Sequence, residues 1–98
     1  GLGVLEDDRK AAKWYQIAAE QGDALAQYNL GVAYAAGIGL PIDRKLSYVW
    51  YSVAAANGYR GAAVNVMIAE KKLSKDEIQL VLKMRDSLIE ANPDILID

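Results

Sequence analysis

The chain has no cysteine and no histidine. Without cysteine there is neither a disulfide framework nor a thiolate metal site, and the redox compartment stays open. Without either residue, nucleophilic catalysis would need a serine with a lysine as its base, and Ser47, Ser52, Ser74 and Ser87 show no motif for it. No metal and no cofactor is implied. Charge is balanced, with 11 basic and 13 acidic residues and no basic stripe of the kind that neutralises phosphates, which argues against nucleic acid. No apolar run approaches the ~20 residues that span a bilayer, so membrane insertion is not expected. The opening GLGVLEDDRK lacks the charged and apolar segments of a signal peptide, as would any chain that begins inside a larger protein.

What is abundant is alanine, and an apolar fraction of 53% in 98 residues suggests helices that bury more than one face. Self-comparison then organises the chain. Trp14-Tyr15 recurs as Trp50-Tyr51, Ala18-Ala19 as Ala54-Ala55, and Gly22 as Gly58. Gly1 and Gly3 return as Gly37 and Gly39, Asp7 as Asp43, Asn29 as Asn65, and Ala33 as Ala69, all 36 residues apart and without a gap.

Within one unit, Ala11, Trp14, Tyr15, Ala18 and Ala19 follow the i, i+3, i+4, i+7, i+8 spacing of one helix face. Asp7 or Asp8 caps the start of that helix in this reading, and Gly22 ends it. A helix over residues 25 to 36 follows, stopped by Gly37. The loop Gly37-Ile38-Gly39-Leu40-Pro41 leads to Asp43 and the next helix, with proline and glycine where backbone sterics allow them.

Read together, Ala26-x-x-Asn29-Leu30-Gly31-x-x-Tyr34-x-x-Gly37-x-Gly39-x-Pro41-x-Asp43 and Trp50-Tyr51-x-x-Ala54-Ala55-x-x-Gly58 resemble the unit of the Sel-1-like repeat family. That resemblance implies an all-α fold, a right-handed superhelix of antiparallel helical hairpins related to the tetratricopeptide repeats. Ser47 departs from it, standing where the family has a small alanine. The array divides as residues 1 to 24, the second half of a repeat; 25 to 60, a complete repeat; and 61 to 98, a degenerate capping repeat without the tryptophan or the Gly-x-Gly loop. Five helices are predicted, at residues 7 to 21, 25 to 36, 43 to 57, 61 to 72 and 75 to 91, with no strand. Ser74-x-x-Glu77 reads as the capping box of the last. Its apolar stripe of Ile78, Val81, Leu82, Leu88 and Ile89 lets it close the array's end while its charged side meets water.

At the other end, residue 1 falls in the loop of a unit whose first helix is missing. A fragment cut from a longer array is expected, with apolar surface exposed around the Trp14 helix and end-to-end self-association through it. Trp14 and Trp50 themselves read as packing residues between helices. Gly31 reads as a site of close helix approach, because glycine in a helix costs about 1 kcal/mol against alanine. Gly37-x-Gly39 lacks the remaining features of a phosphate loop and reads as a turn. Glu6-Asp7-Asp8 reads as a solvated helix start and not as a cation site.

At about 100° per residue, Ala26, Leu30, Ala33 and Tyr34 share one side of the second helix, while Leu25, Tyr28, Val32, Ala35 and Ala36 share another. First helices line the concave surface of tetratricopeptide-like arrays, so the resemblance implies that the second group faces a groove unless neighbouring helices cover it. The partner-binding candidates are Leu25, Tyr28, Asn29 and Val32, with Val64, Asn65, Ile68 and Lys71 from the next unit. Asn29 and Asn65 either pair with a peptide backbone or brace adjacent helices. Lys71 and Lys72 either complement a helix C-terminus or favour an acidic group or free carboxylate on the ligand. The tail Ile95-Leu96-Ile97 is an internal competitor for the groove. The implied function is a scaffold or adaptor that binds a protein or peptide. The alternatives are an architectural spacer and a hydrolytic enzyme built from carboxylates and tyrosines. For location the resemblance suggests export or the bacterial cell envelope.

Overall fold

The computed structural model describes residues 2 to 97, and side chains from residue 6 onward. Every element among the described residues is a helix: α1 (Leu2–Glu20), α2 (Ala24–Ala36), α3 (Arg44–Ala56), α4 (Arg60–Lys72) and α5 (Lys75–Ala91). α2 packs between α1 and α3, and α4 packs on the other side of α3.

Short polar residues set the starts of α2, α3 and α5, because the first N–H groups of a helix have no partner of their own. Asp23 accepts from the Ala26 N–H at 3.0 Å, and Asp43 does the same for Leu46. The Asp43 N–H donates in turn to the Tyr34 carbonyl, which closes the turn between α2 and α3. Ser74 and Glu77 form a reciprocal capping box, and the N–H of Ser74 holds the Glu77 carboxyl below the usual carboxylate range. Gly37 ends α2 at φ 72°, which a side chain would disfavour. Gly39 lies against the Asp8 backbone, so the Gly-x-Gly segment is a structural turn seated on α1.

The N-terminal helix departs from the sequence reading. α1 begins at Leu2, so Gly3 is helical and Asp7 and Asp8 lie inside the helix and cap nothing; Gly1 lies outside the described residues. A glycine makes a turn available without enforcing one, at a helical cost of about 1 kcal/mol. The following run of helix formers includes a Glu6–Lys10 pair one turn apart, at 4.0 Å.

Packing divides into three apolar clusters. The first joins Ala19, Ala26, Leu30, Trp50, Val53 and Ile95, the second Tyr48, Val49 and Val81, and the third Tyr51, Ala54 and Ala62. At Gly31 α2 and α3 approach closely: a Cβ there would stand 2.6 Å from the Tyr51 ring. Ser47 donates to the Gly31 carbonyl at 2.9 Å, so its hydroxyl is satisfied in a position where the family usually has alanine.

α5 lies mainly along α3. Lys45 and Glu77 link their N-terminal turns at 3.8 Å, and the segment after α5 reaches Asn57 at the end of α3, so the two helices run the same way. Val81 is fully buried, while Lys75, Asp76, Lys83, Asp86 and Glu90 face water.

The two tryptophans have different fates. Trp50 is 2% exposed, in the cluster that α2 and α5 complete, whereas Trp14 is 70% exposed. The packing role assigned to Trp14 is therefore corrected: no described helix takes over α1 the place that α2 takes over α3. The expected apolar surface on α1 is present, with Trp14 and Ile17 both exposed.

Candidate functional site

Two pockets are images of each other under the 36-residue repeat. One lies on α1 and α2 and is lined by Asp8, Ala11, Tyr15, Asn29, Val32, Ala33 and Ile38. In the other, α3 supplies the floor through Arg44, Ser47 and Tyr51, α4 supplies Asn65, Ile68, Ala69 and Lys72, and Ala35 of α2 forms the opposite edge. Six positions correspond in register: Asp8 with Arg44, Ala11 with Ser47, Tyr15 with Tyr51, Asn29 with Asn65, Val32 with Ile68, and Ala33 with Ala69. Each pocket has a volume of about 160 Å³.

The register explains why the same residue types return. Positions 29, 32 and 33 share one side of α2 by helical spacing, and 65, 68 and 69 share the same side of α4. A tyrosine one helix back forms each floor. The electrostatics differ between the two. The α3–α4 pocket has Arg44 and Lys72 and no carboxylate, and neither cation makes an ion pair with another described residue. Its counterpart has Asp8 in the place of Arg44.

The eight candidate residues are divided by this geometry. Asn29 and Val32 line the first pocket, and Asn65 and Ile68 the second. Tyr28 stands between α2 and α4 with its ring stacked on Tyr59 at 4.7 Å and tilted against Tyr51 at 5.7 Å. Leu25 is exposed near the start of α2. Val64 and Lys71 are exposed too but line neither pocket; by helical angle they flank Ile68, about 40° and 60° beyond it on the side away from Asn65. The lysine in the pocket is Lys72. Arg44, Ser47 and Tyr51 of the floor were not among the candidates. Adding 36 to Ala11 and Tyr15 reaches two of them, Ser47 and Tyr51, but the concave-surface resemblance points only to the first helices of each unit.

The tail does not enter either pocket. Residues 94 to 97 lie on the α1–α2 turn and the end of α3, where Ile95 is completely buried with Ala19, Ala26, Leu30, Trp50 and Val53.

Burial pushes the phenols of Tyr34, Tyr48 and Tyr51 up; Asp43 adds to the effect at Tyr34, and a hydrogen bond to Glu70 adds to it at Tyr48. Above pH 10.0 the unfolded chain releases protons that these folded phenols retain, so their contribution is complete below that pH and is lost as pH rises through the folded values. Urea midpoints should fall as the pH is raised above 10.0, and Tyr51→Phe should make that fall shallower. An equal fall in the variant would show that Tyr51 does not contribute.

Paired helical hairpins in a constant 36-residue register define an all-α repeat protein whose surface pockets repeat with its backbone. The sequence profile of the Sel1 repeat matches residues 1 to 23 and 24 to 59, more than half of the chain. The chain belongs to the Sel1 repeat family. It is also similar to the crystal structure of a protective antigen of uropathogenic Escherichia coli strains that displays an SLR fold. That match has a TM-score of 0.81 and 32% identity over 87% of this chain. The chain spans 18% of that protein's length. No helix among the described residues is long and apolar enough to cross a membrane.

Proposed function

We propose that the chain is a protein-interaction scaffold and not an enzyme, and that it holds a peptide or protein surface across the face where α2 and α4 lie over α1 and α3. The observation that carries this reading is the repetition of one pocket at two places, since equivalent subsites at a constant spacing suit a polymeric ligand of repeating backbone. Each subsite offers an asparagine amide, which both donates and accepts, beside an aliphatic side chain and a tyrosine. Arg44 and Lys72 favour an acidic group on the ligand at the second subsite, and Asp8 disfavours one at the first.

Pull-down with charge-introducing variants tests it. Val32→Asp and Ile68→Asp should remain helical and lose at least tenfold in partner recovery, whereas Gln79→Ala and Lys83→Ala on the outside of α5 should leave recovery unchanged. Folded pocket variants that retain the same partner, with loss confined to the α5 variants, would place binding on the other face.

The exposed Trp14 and Ile17 support a second reading, end-to-end pairing of copies through α1. Light scattering should then show a concentration-dependent rise in mass that Trp14→Ser removes.

A further inference from the structure

The tail is held as a peptide ligand is held. Ile95 supplies one fully buried aliphatic anchor, while Pro93, Asp94 and Ile97 on either side are exposed. Its carbonyl accepts two hydrogen bonds, from Gln27 Nε2 and Asn57 Nδ2, both at 2.9 Å. Two residues on, the N–H of Ile97 donates to Asn57 Oδ1 at 2.8 Å. One asparagine side chain thus pairs with the backbone at alternate positions, as a neighbouring strand would.

The receptor side of this contact is built by the repeats themselves. Gln27 is completely buried and its amide is oriented from both ends: Nε2 also donates to the Ala19 carbonyl, and Oε1 accepts from Asn57. Gly22 gives the segment room, because a Cβ there would stand 2.6 Å from the Asp94 carbonyl. Beyond the anchor the slot stays open, as a cavity of about 390 Å³ beside Ala56, Asn57, Gly58, Leu96 and Ile97.

We propose that this slot, between the α1–α2 turn and the C-terminal end of α3, is a second peptide-binding site, separate from the paired pockets and occupied in cis by residues 94 to 97. Its ligand is an extended segment of a partner protein with a branched aliphatic anchor and a free backbone N–H two residues later. Proline is excluded at that later position, and an apolar side chain between the two packs partly against the same cluster, as Leu96 does. The tail's own binding chemistry defines these requirements. The open cavity beside Leu96 and Ile97 leaves room for larger apolar side chains than the tail supplies there, so a segment that fills it displaces the tail.

A fluorescent peptide, Asn-Pro-Asp-Ile-Leu-Ile, tests the slot against the full chain. Ile95→Ala weakens the tail in cis, so this variant should bind the peptide at least tenfold more tightly than the unchanged chain does, and the peptide should raise its Tm. Adding Asn57→Leu should abolish both effects. A peptide with proline at the last position should bind at least tenfold more weakly, and alanine in place of its leucine should weaken binding by less than alanine in place of its first isoleucine does. If Ile95→Ala does not fold, hydrogen exchange on the unchanged chain decides. Excess peptide should speed exchange of the Ile97 amide and leave the helices protected. No saturable binding to folded Ile95→Ala, no effect of the proline, or an unchanged Ile97 amide would each overturn the proposal. So would binding lost on Ile68→Asp and retained on Asn57→Leu, which would move the peptide to the pockets.

Discussion

Trp50→Ala should lower stability by about 3–5 kcal/mol, the usual range for a buried tryptophan, while Trp14→Ala should change it by less than about 0.5 kcal/mol. The two residues occupy the same place in successive repeats, so composition and local sequence are nearly matched and the environment is the variable. Around Trp50 the indole is enclosed in a cluster with Leu30, Val53 and Ile95, against which Tyr34, Leu88 and Ile89 pack. Removing it leaves a cavity among residues from α2, α3, α5 and the tail, none of which can collapse without moving a helix. Trp14 is largely in water, so its truncation removes little buried area. Urea unfolding of both variants measures the contrast. Because Trp50 lines no face that binds in the proposed function, partner capture by its variant should fall only as far as the folded fraction falls. A stable Trp50→Ala protein that has lost its partner would reassign that residue to the binding surface.

Ile95→Ala should cost about 2–5 kcal/mol, although the residue lies outside every helix. Its side chain completes the same cluster as Trp50, and its carbonyl satisfies amides of Gln27 and Asn57 in a place with little access to water. If the smaller side chain lets the tail detach, those amides lose a partner and Ala19 and Val53 gain exposure. Ile97→Ala is the control: its side chain is exposed and only its backbone N–H is used, so it should cost less than about 0.5 kcal/mol. Thermal melts of both variants check the prediction, and equal effects would show that the tail is not anchored through Ile95.

Where local chemistry decides, the sequence was a sufficient guide. Asp23 and Asp43, the Ser74–Glu77 box and Gly37 mark helix ends through bonds made within a few residues, and the starts of α2, α3 and α5 and the end of α2 follow from them. Gly31 was legible because glycine inside a helix needs a reason, and the Tyr51 ring supplies it. Contacts that local patterning cannot encode were not legible. Gln27 reaches the carbonyl of Ile95 across 68 positions, and nothing in the period of α2 distinguishes that glutamine from a solvent-facing one. Trp14 carries the same motif as Trp50, yet its burial depends on a covering helix that the motif does not contain. In the candidate site, helical angles separated the side of α2 that packs from the side that is open. They did not show that Asn65, Ile68 and Lys72 of α4 stand over a floor from α3 while the neighbouring Val64 and Lys71 stay outside the pocket. That requires knowing how three helices stack, and the exact 36-residue offset is the one clue in the sequence to it.

The central claim, that a partner lies over the repeated pockets, is tested most directly by site-specific photo-crosslinking. A benzophenone side chain placed in turn at Ile68, Val32 and Gln79 reports what lies within its short reach at each position. Crosslinks to one partner are expected from positions 68 and 32, mapping to neighbouring stretches of that partner, and none from position 79. Crosslinking from position 79 with none from 68 or 32 would contradict it.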